Sequence, residues 1–194
     1  KGFLPQQFEA NNLFFAYAQN QLQATGNAQS LKIKLNAPAL YELYPGLQGR
    51  AYGSLNVQSQ PRLKATANIA VDNFAFNELA SIRSLRIQGE LPTSEATPTL
   101  LIAKVDHLRS GNREIEDATI NLGGTRKAHV LKVESNNRQS NFYAQLAGGF
   151  NQNNDWLGQL QKGHFKSRRI DLVQNQSAPI IYSTAQSELY IGQH

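Results

Sequence analysis

The sequence predicts an all-β protein, and three observations predict it. Apolar residues recur with a two-residue period in run after run, clusters of Gly, Asn, Ser and Pro separate the runs, and a helical period is confined to one short segment. A period of two places alternate side chains on opposite faces of a strand, so each run carries one apolar and one polar face. About a dozen such runs are countable in 194 residues, a length that strand-built domains commonly reach undivided. All-β architecture follows, with at most one or two short helical turns; periodicity leaves open whether the strands form one long antiparallel-rich sheet or a β-sandwich.

Taken in order, residues 1–7, with Pro5, read as an incoming strand end or a tail. Residues 8–17 fit a short amphipathic helix, but Phe15, Tyr17 and the alternation through Leu22 and Ala24 favour strand, with Gly26 and Asn27 as the turn. Leu31, Ile33 and Leu35 alternate with Lys32 and Lys34. In residues 36–46 Asn36 is placed to cap, Pro38 stands just inside, Leu40, Leu43 and Leu47 recur at helical spacing, and Pro45-Gly46 closes the turn. From Gly49 the two-residue period returns with Ala51, Gly53, Leu55 and Val57. After Ser59-Gln60-Pro61 it continues through Leu63, Ala65, Ala67, Ile69 and Val71. Phe74 and Phe76 then follow Asp72-Asn73 out of phase, which predicts a bend or bulge.

Residues 82–91 supply Leu85 and Ile87, residues 92–98 a loop of turn formers, and residues 100–108 another run. Beyond the Ser110-Gly111-Asn112 turn, Ala118, Ile120 and Leu122 alternate. Residues 123–160 form a three-run meander: His129, Leu131 and Val133 share one face, Phe142, Ala144 and Leu146 repeat the period, and Trp156, Gly158 and Leu160 begin a third run. The last runs are residues 163–173, 179–183 and 188–191.

Composition narrows the function. Lys plus Arg number 19 against 14 Asp plus Glu, a net charge of +5, but the basic residues are dispersed and read as a solvated surface. Asn and Gln number 18 and 19, more together than all charged residues, so the solvent-facing strand positions are mostly neutral and polar. Without Cys there is no disulfide, thiolate metal site or Cys nucleophile. No window approaches the roughly 18 apolar residues of a spanning helix. The chain opens on Lys1-Gly2 and contains no Met, which reads as residues 1–194 being one β-sheet segment of a longer protein.

Chemistry-bearing constellations are missing at the level of sequence. The His residues at 107, 129, 164 and 194 show no paired-ligand spacing. Asp106, His107 and Ser110 could be assembled into a triad only without the nucleophile-elbow pattern. Gly123-Gly124 and Gly148-Gly149 match no phosphate-binding fingerprint and read as turns or strand kinks. Basic and aromatic residues between Arg138 and Tyr143 do not make a stacking platform. No enzyme, metal, cofactor or nucleic-acid partner is therefore expected. What remains is the apolar face. At ~4.8 Å per strand it extends on the order of 55 Å, and it must be covered by a second layer, by curling, or by an apolar ligand.

The residues 36–76 carry a resemblance. A Pro38-x-Leu40 turn and a Pro45-Gly46-Leu47-x-Gly49 step lead into Gly53-x-Leu55-x-Val57, then Pro61-x-Leu63-x-Ala65. Farther on, Gly124 and His129 precede Leu131 and Val133, followed by Leu146-Ala147-Gly148 and by Trp156, Gly158 and Leu160. This arrangement, over residues 31–173, resembles the TamB family of bacterial envelope proteins, related to AsmA-like and bridge-like lipid-transfer proteins. The resemblance implies a curved, taco-shaped β-sheet (β-taco) with an apolar concave groove. It further implies a periplasmic location in a Gram-negative cell, with the full-length protein anchored in the inner membrane. Phospholipid acyl chains moving toward the outer membrane are the implied cargo and an outer-membrane barrel of the TamA type the implied partner. Membrane contact would come only through parts of the protein outside this chain. The alternative role is a chaperone-like module offering strand edges to outer-membrane proteins. No catalytic residues carry over. The expected groove lining is Leu31, Ile33, Leu35, Leu55, Val57, Leu63, Ile69 and Val71, then Leu85, Ile87, Ile120, Leu122, Leu131, Val133, Phe142, Leu146 and Leu160. His129, whose phase also points it inward, is at odds with a purely apolar lining.

Overall fold

The structure, a computed structural model, describes residues 9–91 and 93–192. The tail at 1–7, Phe8, the first residue of the 92–98 loop and His194 lie outside the described residues. Among the described residues fourteen strands form: β1 (Glu9–Tyr17), β2 (Asn20–Asn27), β3 (Ser30–Ala37), β4 (Leu47–Gln58), β5 (Lys64–Phe76), β6 (Ala80–Glu90) and β7 (Thr99–Ser110). They continue as β8 (Arg113–Gly124), β9 (His129–Asn136), β10 (Ser140–Phe150), β11 (Trp156–Ser167), β12 (Asp171–Val173), β13 (Ala178–Ser183) and β14 (Glu188–Ile191). All join one antiparallel sheet in chain order, open at β1 and β14. β12 and β13 both pair with β11 and act as two halves of one interrupted strand. Short local hairpins explain the meander, because each strand ends where a turn cluster lets the chain reverse onto its predecessor.

Local details differ from the expectations in three places. Gly26 and Asn27 lie inside β2, where Gly26 (φ 128°) sits beside the Ala10/Leu13 irregularity of β1, and the chain reverses one step later. The helical turn of residues 36–46 is a single 3-10 turn, Leu40–Glu42, whose first flanking residue is Ala39 with no side-chain cap. Asn36 instead pairs in the sheet with Gln21 and Tyr52. Asn20, from the neighbouring hairpin, supplies the missing polar partner: its side chain donates to Ala39 O at 2.8 Å and accepts from Ala39 N at 3.1 Å. Finally, the run at 163–173 is two elements, because Ser167 N donates to Ile170 O and turns the chain between them.

A single layer buries little. The chain exposes 13131 Å², against about 9,200 Å² for a compact monomer of 21.5 kDa. Its buried apolar residues are Leu31, Leu40 and six alanines, and no large side chain is fully buried among the described residues. No second sheet or helical layer is present among them, so the sandwich alternative does not hold. A cluster of Ala37, Leu40 and Ala51, with Leu35, Leu47, Val71 and Phe74 against it, is the densest apolar packing.

Along one line the alternation slips by a residue. Pairing carries Asp72 to Ser84, Asp106 and Asp117 on one side of this line, and Phe74 to Ile82, Leu108 and Ile115 on the other. Asn73, Arg83, His107 and Glu116 are the single residues between, and Asn73 and His107 take φ of 50° and 48°. An inserted residue flips the faces that follow it. The apolar pattern flips in step, with Val71 and Phe74, Leu85 and Ile82, Val105 and Leu108, and Ala118 and Ile115 each three positions apart. Val71 and Phe74 consequently pack on the same buried cluster. The expected phase change at Asp72-Asn73 is thus a bulge of β5 against β4, where Gln48 pairs with Ala75 but Arg50 with Asp72, and from it a crease of unbridged residues continues one for one across β6, β7 and β8 without a shift of register.

Candidate functional site

Strand pairing assembles the apolar positions into rungs. One rung runs Ile33, Leu55, Ala67, Gly89, Leu101, Leu122, Leu131, Leu146 and Leu160. The next runs Leu35, Gly53, Ile69, Ile87, Ala103, Ile120, Val133, Ala144 and Gly163, and a third carries Val71, Leu85, Val105 and Phe142. Leu31 and Val57 pair on the flanking rung. Partners in a ladder share a face, so the residues singled out from sequence stand together on one side of the sheet. Leu63 is the exception, preceding β5 and lying outside the paired rungs. The face is open: Leu22 is 38%, Ile120 36% and Phe142 43% exposed.

Leu101, Val105 and Phe165 belong to this face as well, although alternation alone left the phase of residues 100–108 unassigned. The signal that settles it is pairing, Leu101 with Leu122 and Phe165 with Phe142.

At the strand ends near the turn from β8 to β9 the rungs give way to an aromatic cluster. His129 is buried, at 8% exposed, and its flanking partners Gly124 and Gly148 carry no side chains. The Trp156 ring fills that space. A Cβ on Gly148 would stand 2.6 Å from this ring and one on Gly158 2.4 Å, so the indole lies directly over both glycines. Trp156 Nε1–H donates to His129 Nε2 at 2.8 Å. An indole can only donate, so His129 Nε2 is an acceptor and the imidazole is neutral with its proton on Nδ1. That proton is donated to Thr125 O at 3.1 Å. Both polar atoms of His129 are therefore satisfied, which is how an imidazole stands on an apolar face without an unmet donor or acceptor. Phe150 completes the cluster, 5.7 Å from the His129 ring, and the Arg126 guanidinium sits over Phe150 at 5.1 Å.

The opposite face is the more polar one, although Leu100, Ile102, Val130 and Leu157 also stand on it, and it carries the ion pairs of Lys64 with Glu90 at 2.9 Å, Arg86 with Asp72 at 2.5 Å, and Arg83 with Asp106 at 3.5 Å. Exposed pairs of this kind contribute little to stability; they keep the outer face wet. Near the crease, a polar depression of about 460 Å³ is lined by His107, Glu114, Glu116 and Arg138. There His107 Nδ1 bonds Asp106 Oδ1 at 3.0 Å, and this bond, ahead of the nearby Arg83 charge, holds the Asp106 carboxyl below its ordinary range. Asp171 is lowered in the same way, chiefly by His164 and then Lys166. Ser110 pairs with Ala80 and Arg113 at the end of β7. Among the described residues no group of three or more His, Asp or Glu is placed to hold a metal ion.

Comparison with known proteins gives one consistent result. The family model for the TamB N-terminal domain matches residues 4–194. A protein of Haemophilus influenzae named translocation and assembly module subunit TamB is 24% identical over 191 residues, covering 94% of this chain. The chain spans 14% of the length of that relative. No solved structure matches. With the family model matching nearly its whole length, and the open all-β sheet that the resemblance implies, the chain belongs to the TamB family.

Proposed function

We propose that this chain is a periplasmic part of a lipid conduit in a Gram-negative envelope. Phospholipid acyl chains lie along the apolar rungs, inside a groove formed as the sheet bends at its crease, on their way toward the outer membrane. The full-length protein is anchored in the inner membrane by parts outside this chain and works with an outer-membrane barrel of the TamA type. The observation that carries this reading is a continuous apolar face on a single-layer sheet, with no second sheet or helical layer over it among the described residues. Burial of acyl groups at roughly 0.8 kcal/mol per CH₂ drives loading. A lining of Leu, Ile, Val, Ala and Gly without fixed polar anchors lets the chains slide.

The test is a charge on the lining. Leu131→Arg or Ile69→Arg places a guanidinium on an apolar rung, where an unpaired charge is strongly unfavourable. Phospholipid transfer between membranes is expected to fall at least about tenfold in a protein that still folds, an effect of more than ~1.4 kcal/mol. Normal transfer by a folded variant would sink the proposal.

A second reading has its own observation. Among the described residues the strands β1 and β14 each have a neighbour on one side only, beside exposed Phe15 (63%), Leu189 (60%) and Ile191 (64%), and such edges can add a strand from an outer-membrane protein. Mass spectrometry of the purified protein separates the two: co-purifying phospholipid supports the conduit, and lipid-free protein that binds unfolded barrel strands supports augmentation.

A further inference from the structure

We infer that Arg126 is a phosphate-binding residue at the rim of the apolar face, selecting lipids that carry a phosphate headgroup over neutral lipids with the same acyl chains. The inference rests on the conduit reading and names a specificity determinant within it. Arg126 lies in the turn between β8 and β9, and three contacts fix it. Its backbone N donates to Ser94 O at 2.9 Å, its O accepts from Phe150 N at 3.0 Å, and one guanidinium nitrogen donates to Asn154 Oδ1. The guanidinium lies over Phe150, whose ring packs on His129 on the apolar side of the sheet. The charge is therefore held at the edge of the apolar face and not on the polar one.

Nearby carboxylates are already engaged. Glu95 is paired with Lys127 at 2.7 Å, and Asp155 accepts from Asn151 Nδ2 at 3.2 Å and from Thr184 N at 3.0 Å. Among the described residues no carboxylate lies within ion-pair distance of Arg126, although its orientation is fixed. A planar fork of donors held in place beside an apolar surface suits a phosphate, which it can contact in a bidentate manner.

The order of groups along the strand ends also matches a phospholipid. Leu131, Leu146 and Leu160 form the last wholly apolar rung. Next comes the amphipathic layer of Trp156 and His129, rings of the kind that settle at the boundary between acyl chains and headgroups. Arg126 stands outermost.

A photo-crosslinking amino acid at Leu146 in the full-length protein reads lipid occupancy at this position. The protein is exposed to vesicles containing equal dioleoyl phosphatidylglycerol and dioleoylglycerol, and the adducts are weighed. Arg126→Gln is expected to lower the ratio of phospholipid to diacylglycerol adducts roughly three- to fivefold, the range of one exposed charge pair, with Arg126→Lys retaining most of the preference. An unchanged ratio in Arg126→Gln, with adducts still forming, overturns the Arg126 assignment and leaves the groove standing. Absence of any lipid adduct in the unsubstituted protein overturns the conduit reading and with it this inference. Inorganic phosphate at the same concentration as the headgroups should leave the ratio unchanged. Its collapse to the Arg126→Gln value would identify a site for free phosphate and overturn the lipid assignment.

Discussion

Two places on the apolar face solve the same problem differently. At the corner between β3 and β4 the backbone itself folds over the sheet: the 3-10 turn lays Leu40 on Ala37 and Ala51, and Asn20 ties Ala39 down with two hydrogen bonds. On the opposite rim, where β8 to β11 end, the apolar side is covered by a side chain. There a single ring, Trp156, lies over two glycines and is held by His129. A one-layer sheet has no partner layer to exclude water, so its larger side chains gain cover where a turn or a large ring doubles the thickness. Between these places the rungs stay open, which is the state a transient apolar ligand requires.

The largest effect is expected at the glycine floor. Gly158→Val places a Cβ 2.5 Å from Ala147 O as well as against the indole, and neither backbone nor ring can yield without cost. A destabilisation of about 3 kcal/mol is expected. Trp156 is the only tryptophan of the chain, so its fluorescence should shift to the red as it leaves the sheet. Unchanged emission and stability would mean that the ring does not rest on this floor. At the corner, Asn20→Ala strands Ala39 N–H and C=O in a buried site. Denaturant unfolding should report a loss of about 2 kcal/mol, and a loss below about 0.5 kcal/mol would show that water replaces the side chain. The smallest effect lies outside both places, at the crease. The Asp106 carboxyl is lowered chiefly by its bond from His107, so its contribution to stability is present above the ordinary aspartate range and is lost as pH falls through the depressed folded value. In an NMR titration the Asp106 midpoint should rise in His107→Ala, and an unmoved midpoint would assign the shift to Arg83.

Much of the fold was legible because a strand's period is local. Leu31, Ile33 and Leu35 declare their face without reference to any other strand, and so do Leu131 and Val133. The out-of-phase step from Val71 to Phe74 also declared its bulge. The equivalent steps at Leu85 and Ile82, Val105 and Leu108, and Ala118 and Ile115 are not legible locally, since each looks like an ordinary irregularity until pairing stacks them into one crease. Asn36 misled as a cap because capping propensity is a local rule, whereas the residue that secures the turn, Asn20, arrives from another hairpin. His129 looked out of place on an apolar face for the same reason: its partner Trp156 is 27 residues away.

By itself, the sequence determined that this protein is built of strands, that each strand has an apolar and a polar face, and where most strands turn. Those properties depend on neighbours two to four residues apart. Tertiary structure alone decided that the faces join into rungs of a single open layer, that the irregular steps line up into one crease, and that Trp156, His129, Phe150 and Arg126 meet at one rim. Each of these requires knowing which residue stands opposite which, and a slip of one position in pairing would turn the apolar set to the other side.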